Sequence, residues 1–320
     1  MPQYSALNSA QIIGSFYQRY ETEFAGSWIS EISTPIASDK LMETYKFLGG
    51  APVPREWLGE RAQGTLGRYS HTVTNKKYES TLHIDLDDLR RDLTGQLMVR
   101  VGDMAARYAL HREALASTII LGGDTTTYPA YDTQNFFDTD HDESGTNQVN
   151  DISSTEVSAA NVTTTTAPTA TEMANVLSGS IGYMLGYTDD KGEPVNGQAR
   201  SWIAMVGTAN LFSALNQAVI LNVFAAGADN PLRGLLASGM TIRAIYNPRL
   251  SADTTIVNLF RTDATGYKPF INQVEFEPQT SVLGAGSDYE FTHDAHQFGV
   301  KAIYAIGTGA WQGAAQITLS

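Results

Sequence analysis

The stretch from Leu86 to Gly123, LDDLRRDLTGQLMVRVGDMAARYALHREALASTIILGG, constrains this chain more than any other. Its apolar residues Leu86, Leu89, Leu93, Leu97, Val101, Met104, Tyr108, Leu115 and Ile119 recur in steps of three, four and seven. Such spacing draws one stripe on a 3.6-residue period, so the stretch is an amphipathic helix and not a strand. Asp85, Asp87 and Asp88 stand at its start, where carboxylates complement the helix dipole. Gly122-Gly123 supplies the stop. Thr94-Gly95 is a weak point, which predicts a short acidic helical turn and then a main helix. From Leu97 to Leu121, at about 1.5 Å per residue, the main helix runs roughly 35–40 Å, enough to be the spine of a domain.

On either side of this helix the signals change period. Ile12, Ile13, Phe16, Tyr17 and Tyr20 predict a short N-terminal helix, in a segment apolar enough to be laid on its own body or on a neighbouring subunit. PVPREWLGER (52–61) should make one or two helical turns, with Pro54 suited to the first. In residues 67–85, Tyr69, His71 and Val73 alternate with polar residues, and so do Tyr78, Ser80, Leu82 and Ile84. Two period-2 runs around Asn75-Lys76 predict a β-hairpin, and a lone hairpin is marginal in water, so its tip must pack on something. Beyond the helix come a turn-rich polar stretch, a Thr-rich loop (158–170) and a helix at 171–187 capped by Thr171. A buried strand at 201–207, a helix at 209–227, and strands at 241–250, 254–261, 269–277 and in VKAIYAI complete an α+β chain.

Composition narrows the function classes. The 320 residues contain no cysteine and carry a formal net charge of −13, so stability comes from packing or assembly and not from disulfides. The acidic balance disfavours a protein that grips nucleic acid through a basic surface, and the scattered Arg and Lys residues form no basic run with aromatics. No run of 18 or more apolar residues exists, and the N-terminus has no basic start followed by an apolar core, so neither a membrane span nor a secretory signal is expected.

The catalytic and metal motifs are weak. His293 and His296 would share a face of a helix, but no third ligand or helical context accompanies them, and a polar turn is the better reading. Asp138, Asp140 and Asp142, with Asp132 upstream and His141 among them, start like a calcium loop. However, Gly145 is misplaced and no glutamate closes the loop at twelve, so a solvated acidic turn is expected. His111 lies on the apolar stripe of the spine, where a satisfied core histidine is the common case. No GxSxG, Walker loop or HExxH occurs, and no cofactor or catalytic residue is assigned.

The order of elements resembles a tailed-phage major capsid protein of the Hong Kong 97 fold, and more closely the Mu-like major head subunit (gpT) family. The residues that carry the resemblance are TYKFLGGAPVPREWLGER (44–61), NKKYESTLHIDLDDL (75–89), YDTQNFFDTDH (131–141), KGEPVNG (191–197), NPLRG (230–234), YNPRL (246–250), KPFINQ (268–273) and GVKAIYAIGTGAWQGAA (299–315). The resemblance implies an N-terminal arm (1–48), an extended hairpin loop region (49–85) and a peripheral domain with the spine helix (86–150). It further implies an axial domain (151–254), returning strands of the peripheral domain (255–300) and a C-terminal axial strand (301–320). It implies self-assembly into hexamers and pentamers of an icosahedral shell in the virion, built in the host bacterial cytoplasm. Double-stranded DNA would be enclosed without sequence-specific binding. The implied partners are a separate scaffold and protease, a portal and a decoration protein.

Reasoning from the residues points the same way, because a hairpin and an apolar arm that cannot stabilise themselves would be buried by a neighbour. The expected intersubunit contacts are Ile12, Ile13, Phe16, Trp28, Tyr69, Val73, Lys76, Lys77, Tyr78 and Leu82. Some relatives of this fold cross-link a hairpin lysine to a neighbour's asparagine. Here nothing marks a partner asparagine or a catalytic glutamate for Lys76 or Lys77, so no cross-link is expected. Two rival readings are an encapsulin-like compartment shell and a metal-dependent hydrolase using the acidic 138–143 loop.

Overall fold

The computed structural model describes residues 3–48, 68–91, 96–143, 145–224 and 229–320. The chain opens with helix α1 (Gln3–Ala25), a single turn α2 (Ile29–Ile32) and strands β1 (Ser33–Ala37) and β2 (Met42–Leu48). Strands β3 (Arg68–Thr74) and β4 (Lys76–Asp85) lead into the short helix α3 (Leu86–Arg91) and the spine α4 (Gln96–Leu121). The acidic turn followed by a main helix is thus present. The turns expected at 52–61 lie outside the described residues. The N-terminal helix is longer than expected, 23 residues, because its stripe finds a partner in α4.

The second half alternates short strands with helices. Strands β5 (His141–Glu143), β6 (Thr146–Gln148) and β7 (Asp151–Ile152) precede α5 (Ala170–Leu185), β8 (Ser201–Val206), α6 (Ala209–Ile220) and α7 (Leu232–Ala237). Then follow β9 (Thr241–Tyr246), β10 (Ile256–Arg261), β11 (Phe270–Leu283), α8 (Asp288–His293), β12 (Ala295–Thr308) and β13 (Ala314–Thr318). The cap of α5 is Thr169, not Thr171: its hydroxyl accepts from the Glu172 amide while Glu172 reaches back, a full capping box. Helix α6 stops at Ile220, short of the expected 227. Asn230 Nδ2 donates to the carbonyls of Ala218 and Leu221 at 2.6 Å each, satisfying the helix end.

Two sheets organise the molecule. One has the order β1-β11-β12-β4, and the other the order β7-β13-β10-β8-β9. The hairpin expected around Asn75 is not formed. Strand β3 pairs with β2, from Met42↔Thr74 to Leu48↔Arg68, whereas β4 pairs with β12. Asn75 is the point where the extended chain leaves one ribbon and enters the other sheet. Its amide donates to Leu41 O (2.8 Å) and its Nδ2 to Lys40 O (2.8 Å). Period-2 alternation identified both strands correctly but carries no information on their partners. Strand β10, placed by expectation among the returning peripheral strands, pairs instead between β8 and β13, a central position in which both its faces are buried. Strand β12 runs unbroken through residue 300, where a domain boundary was expected.

Two hydrophobic cores result. A small one joins Ile12, Phe16 and Tyr20 of α1 to Val101, Ala105 and Ala109 of α4 and to Ile84, Phe298 and Val300 of the four-stranded sheet. A large one surrounds the five-stranded sheet and takes in Ala116, Ile119 and Ile120 from the C-terminal half of α4. The spine therefore belongs to both cores. At Gly207 any Cβ would run into the carbonyl of Leu250, so only glycine allows β8 to pass the turn before β10.

Candidate functional site

The residues expected to make contacts fall on two features that meet at the spine: the β2–β3 ribbon and the face between β4 and α4. The ribbon is rooted on the body by one buried face. Tyr45 and Val73 are buried, while Met42, Thr44, Lys46, Ser70, Thr72 and Thr74 are exposed. Tyr45 OH donates to Gln273 Oε1 (2.6 Å), and burial with the nearby Glu43 carboxylate pushes its pKa up to about 12, so the hydroxyl remains a donor. Val73 packs where any side chain on Gly307 would collide with it. Thr308 Oγ1 donates to Pro129 O (2.7 Å), which makes His71 Nε2 the donor in its 3.0 Å bond to that hydroxyl. Burial lowers the His71 pKa, in keeping with a neutral ring.

The second feature is a groove of about 440 Å³ between the inner face of β4 and the outer side of α4. Tyr78, Leu82, Met104 and Tyr108 supply its apolar lining, and Glu79, Arg100, Asp103, Arg107 and His111 line it with groups of both charge signs and an imidazole. Strand β4 is an edge of its sheet, so one row of its backbone groups faces outward beside this groove. The Tyr78 ring meets His111 edge-on at 4.5 Å, and His111 Nδ1 lies 2.7 Å from Tyr304 OH. Burial, helped by Arg112 and Arg249, lowers the His111 pKa, while burial raises that of Tyr304. A neutral imidazole therefore accepts from the phenol, as a satisfied core histidine would.

The predicted contact residues divide. Ile12, Phe16, Trp28 and Val73 are buried within the same subunit, which corrects the expectation that a neighbour must cover them. The α1 stripe is covered by α4, and Trp28 is fixed at the start of α2 by the Glu113 carboxylate, which accepts from the Trp28 amide (3.2 Å) and from Ser27 Oγ (2.7 Å). Beside it the fully buried Arg112 donates to Glu277 Oε2 (2.6 Å) and lies over the rings of Phe24 and Tyr304. Lys76 and Lys77 are exposed, and Ile13, Tyr78 and Leu82 are half-buried. Tyr69 lies in β3, paired with Phe47. Sequence reasoning missed Tyr45, Gln273 and Arg112, which act by joining segments far apart in the chain and so leave no local pattern.

The candidates for metal or acid–base chemistry are tied into the fold. His141 is buried, with Nδ1 2.6 Å from Asp132 Oδ2, Nε2 3.1 Å from Asn150 Oδ1, and its ring stacked on Trp311 at 4.0 Å. Both nitrogens are committed, so the hydrolase reading loses its base. His293 ends α8 and stacks on Tyr289, whereas His296 lies in β12 with Nε2 3.3 Å from Glu290, so the two do not share a helix face.

Comparison with known proteins agrees with this architecture. The sequence profile of the Mu-like prophage major head subunit gpT matches residues 10–171. The chain belongs to the Mu-like major head subunit family. It is similar to the major capsid protein of Escherichia phage Mu, 31% identical over 119 residues, which are 37% of this chain and 38% of that one. It is also similar to the Mu-like prophage FluMu major head subunit of Haemophilus influenzae, 31% identical over 128 residues, 39% and 41% of the two chains. The matched segments thus span about two fifths of each of these relatives. Among solved structures, the procapsid of bacteriophage JBD30 superposes with a TM-score of 0.53 at 22% identity, covering 100% of this chain and 76% of that one. The family is structural and not enzymatic, and the fold is the α+β fold of tailed-phage capsid subunits.

Proposed function

We propose that this subunit assembles with copies of itself into the icosahedral shell of a phage head, as hexamers and pentamers around double-stranded DNA. The observation that carries this reading is the β2–β3 ribbon. Beyond its rooted face, the described residues of the ribbon pair only with each other, and a two-stranded ribbon is marginal in water without a further surface. A neighbour's exposed β4 edge and spine groove offer such a surface, with Lys76, Lys77, Tyr78 and Leu82 in contact. Closed symmetry then repeats one modest contact many times over. The net charge of −13 suits a container that must release its DNA.

On this reading the four-stranded sheet with α1 and α4 is the peripheral domain, and the five-stranded sheet with α5, α6 and α7 is the axial domain. The ribbon, starting at Met42, is the extended loop. Scaffold, protease, portal and decoration proteins would be supplied separately, with assembly in the host cytoplasm.

The test replaces residues 46–70 by an Asn-Gly turn between the paired Tyr45 and His71. Circular dichroism should show a folded subunit, and electron microscopy should show no closed shells where the parent chain forms them. Normal particles from the shortened chain would overturn the proposal.

A further inference from the structure

Where the C-terminal end of α4 meets the five-stranded sheet, negative groups collect without a positive partner. Asp151, Gln316 and Asn258 stand directly opposite one another on neighbouring strands β7, β13 and β10, so their side chains share one face of the sheet. The next residue in that row is Met205. Asn247 donates to Met205 Sδ (3.4 Å) and to Ser117 Oγ of α4 (2.9 Å), which shows that this face looks toward the spine. The row runs inward from a half-exposed carboxylate to buried amides, with Gln316 4% and Asn258 0% exposed.

Those amides are unsatisfied. Asn258 Oδ1 and Nδ2 and Gln316 Oε1 are buried without a hydrogen-bond partner, and so is Asp253 Oδ2, just before β10. Orphaned buried polar atoms cost about 1–3 kcal/mol each, and the three oxygens among these four are groups that a bound cation would satisfy. Asp124, one residue beyond the glycines that end α4, is close enough to bias the ionisation of both Asp151 and Asp253, and Asp138 acts on Asp151 as well. The last turn of α4 has no basic residue, so its carbonyls add partial negative charge. Among the described residues none of these four carboxylates has a lysine or arginine partner.

We propose that this junction binds a divalent cation, entering past Asp151 and Asp253 and held inside by the amide oxygens of Asn258 and Gln316. The donors are all oxygen, which selects a hard ion of the calcium or magnesium kind. No three carboxylate or imidazole groups converge tightly enough to hold a metal among the described residues. The ion therefore keeps part of its water shell, as magnesium usually does. Its role is to tie the spine to the axial sheet by neutralising the charge trapped between them.

The test measures thermal unfolding of the full-length subunit after chelation, with MgCl2 or CaCl2 added, against NaCl at equal ionic strength. One of the two divalent salts should raise the melting temperature by several degrees more than NaCl does. The Asp253→Asn and Asn258→Leu variants should lose that increment. Asn258→Leu replaces an orphaned amide by an apolar side chain and can melt high without any ion, so the deciding quantity is the salt-induced shift and not the absolute temperature. Equal shifts from all three salts, or an undiminished divalent shift in both variants, would overturn the proposal.

Discussion

The two-core arrangement makes a sharp prediction for Phe16→Ala. Phe16 is 1% exposed, and its ring lies 5.5 Å from Tyr17, 6.3 Å from Tyr20 and 6.4 Å from Tyr108. Truncating a phenylalanine buried this way costs about 3–5 kcal/mol. The three buried side chains that dock α1, Ile12, Phe16 and Tyr20, contribute roughly 1.5–3 kcal/mol each. Losing one at its full cavity cost removes about half or more of that docking energy. Because the buried residues of α1 belong to the small core, with the partly buried Phe24 at its end touching the large one, the loss should appear as local opening. At about 1.4 kcal/mol per tenfold, the open fraction of α1 rises roughly a hundred- to a few-thousand-fold. Hydrogen exchange read by mass spectrometry is the assay. Peptides from 10–25 and 98–110 should lose protection, while 201–220 and 256–261 keep theirs. Equal loss in the axial peptides would refute the independence of the two cores. No loss anywhere would refute the packing of α1 on the spine.

Three further outcomes are expected. Burial and the charge of Asp124 push the Asp253 carboxyl up to about 6. A raised carboxylate pKa stabilises the fold below the ordinary carboxylate range, and this contribution is lost as pH rises through about 6. In metal-free buffer the melting temperature should therefore fall between about pH 4 and 6 and level off above, and Asp253→Asn should flatten that slope; an unchanged slope would count against the burial of this group. Thr169→Ala removes the cap of α5 and should cost about 1 kcal/mol in urea unfolding. Hydrogen bonds from Thr163, and then from Thr169, hold Glu172 down to about 2, so in the parent chain this support disappears only as pH falls toward that value. Gly207→Ala, which drives a methyl into Leu250 O, should cost more than about 3 kcal/mol and leave the subunit insoluble. Soluble protein with parental melting would refute the close approach.

Much of the fold could be read from local pattern. The nine-residue stripe gave α4 because a 3.6-residue period persists only where one helix face is buried. Alternation found β3, β4 and β12, and the match of several short motifs in order indicated the family. Chemistry was legible where it was local as well: the acidic start of α3 and the capping of α5 within two residues of its true position. The contact residues were less so. Ile12, Phe16 and Trp28 are apolar by sequence whether a neighbour or their own spine covers them.

Local pattern alone therefore specifies the set of elements, their periodicities and the family to which they belong. Which strands pair was decided only in three dimensions: an alternating strand satisfies its side chains equally well beside any partner, and Asn75 could have been a turn as readily as a crossing between sheets. Tertiary structure alone also set Arg112 against Glu277, Tyr45 against Gln273, and Asp151, Gln316 and Asn258 in one row. Those residues lie as much as 228 positions apart, and their interactions depend on distances in space that no local spacing encodes.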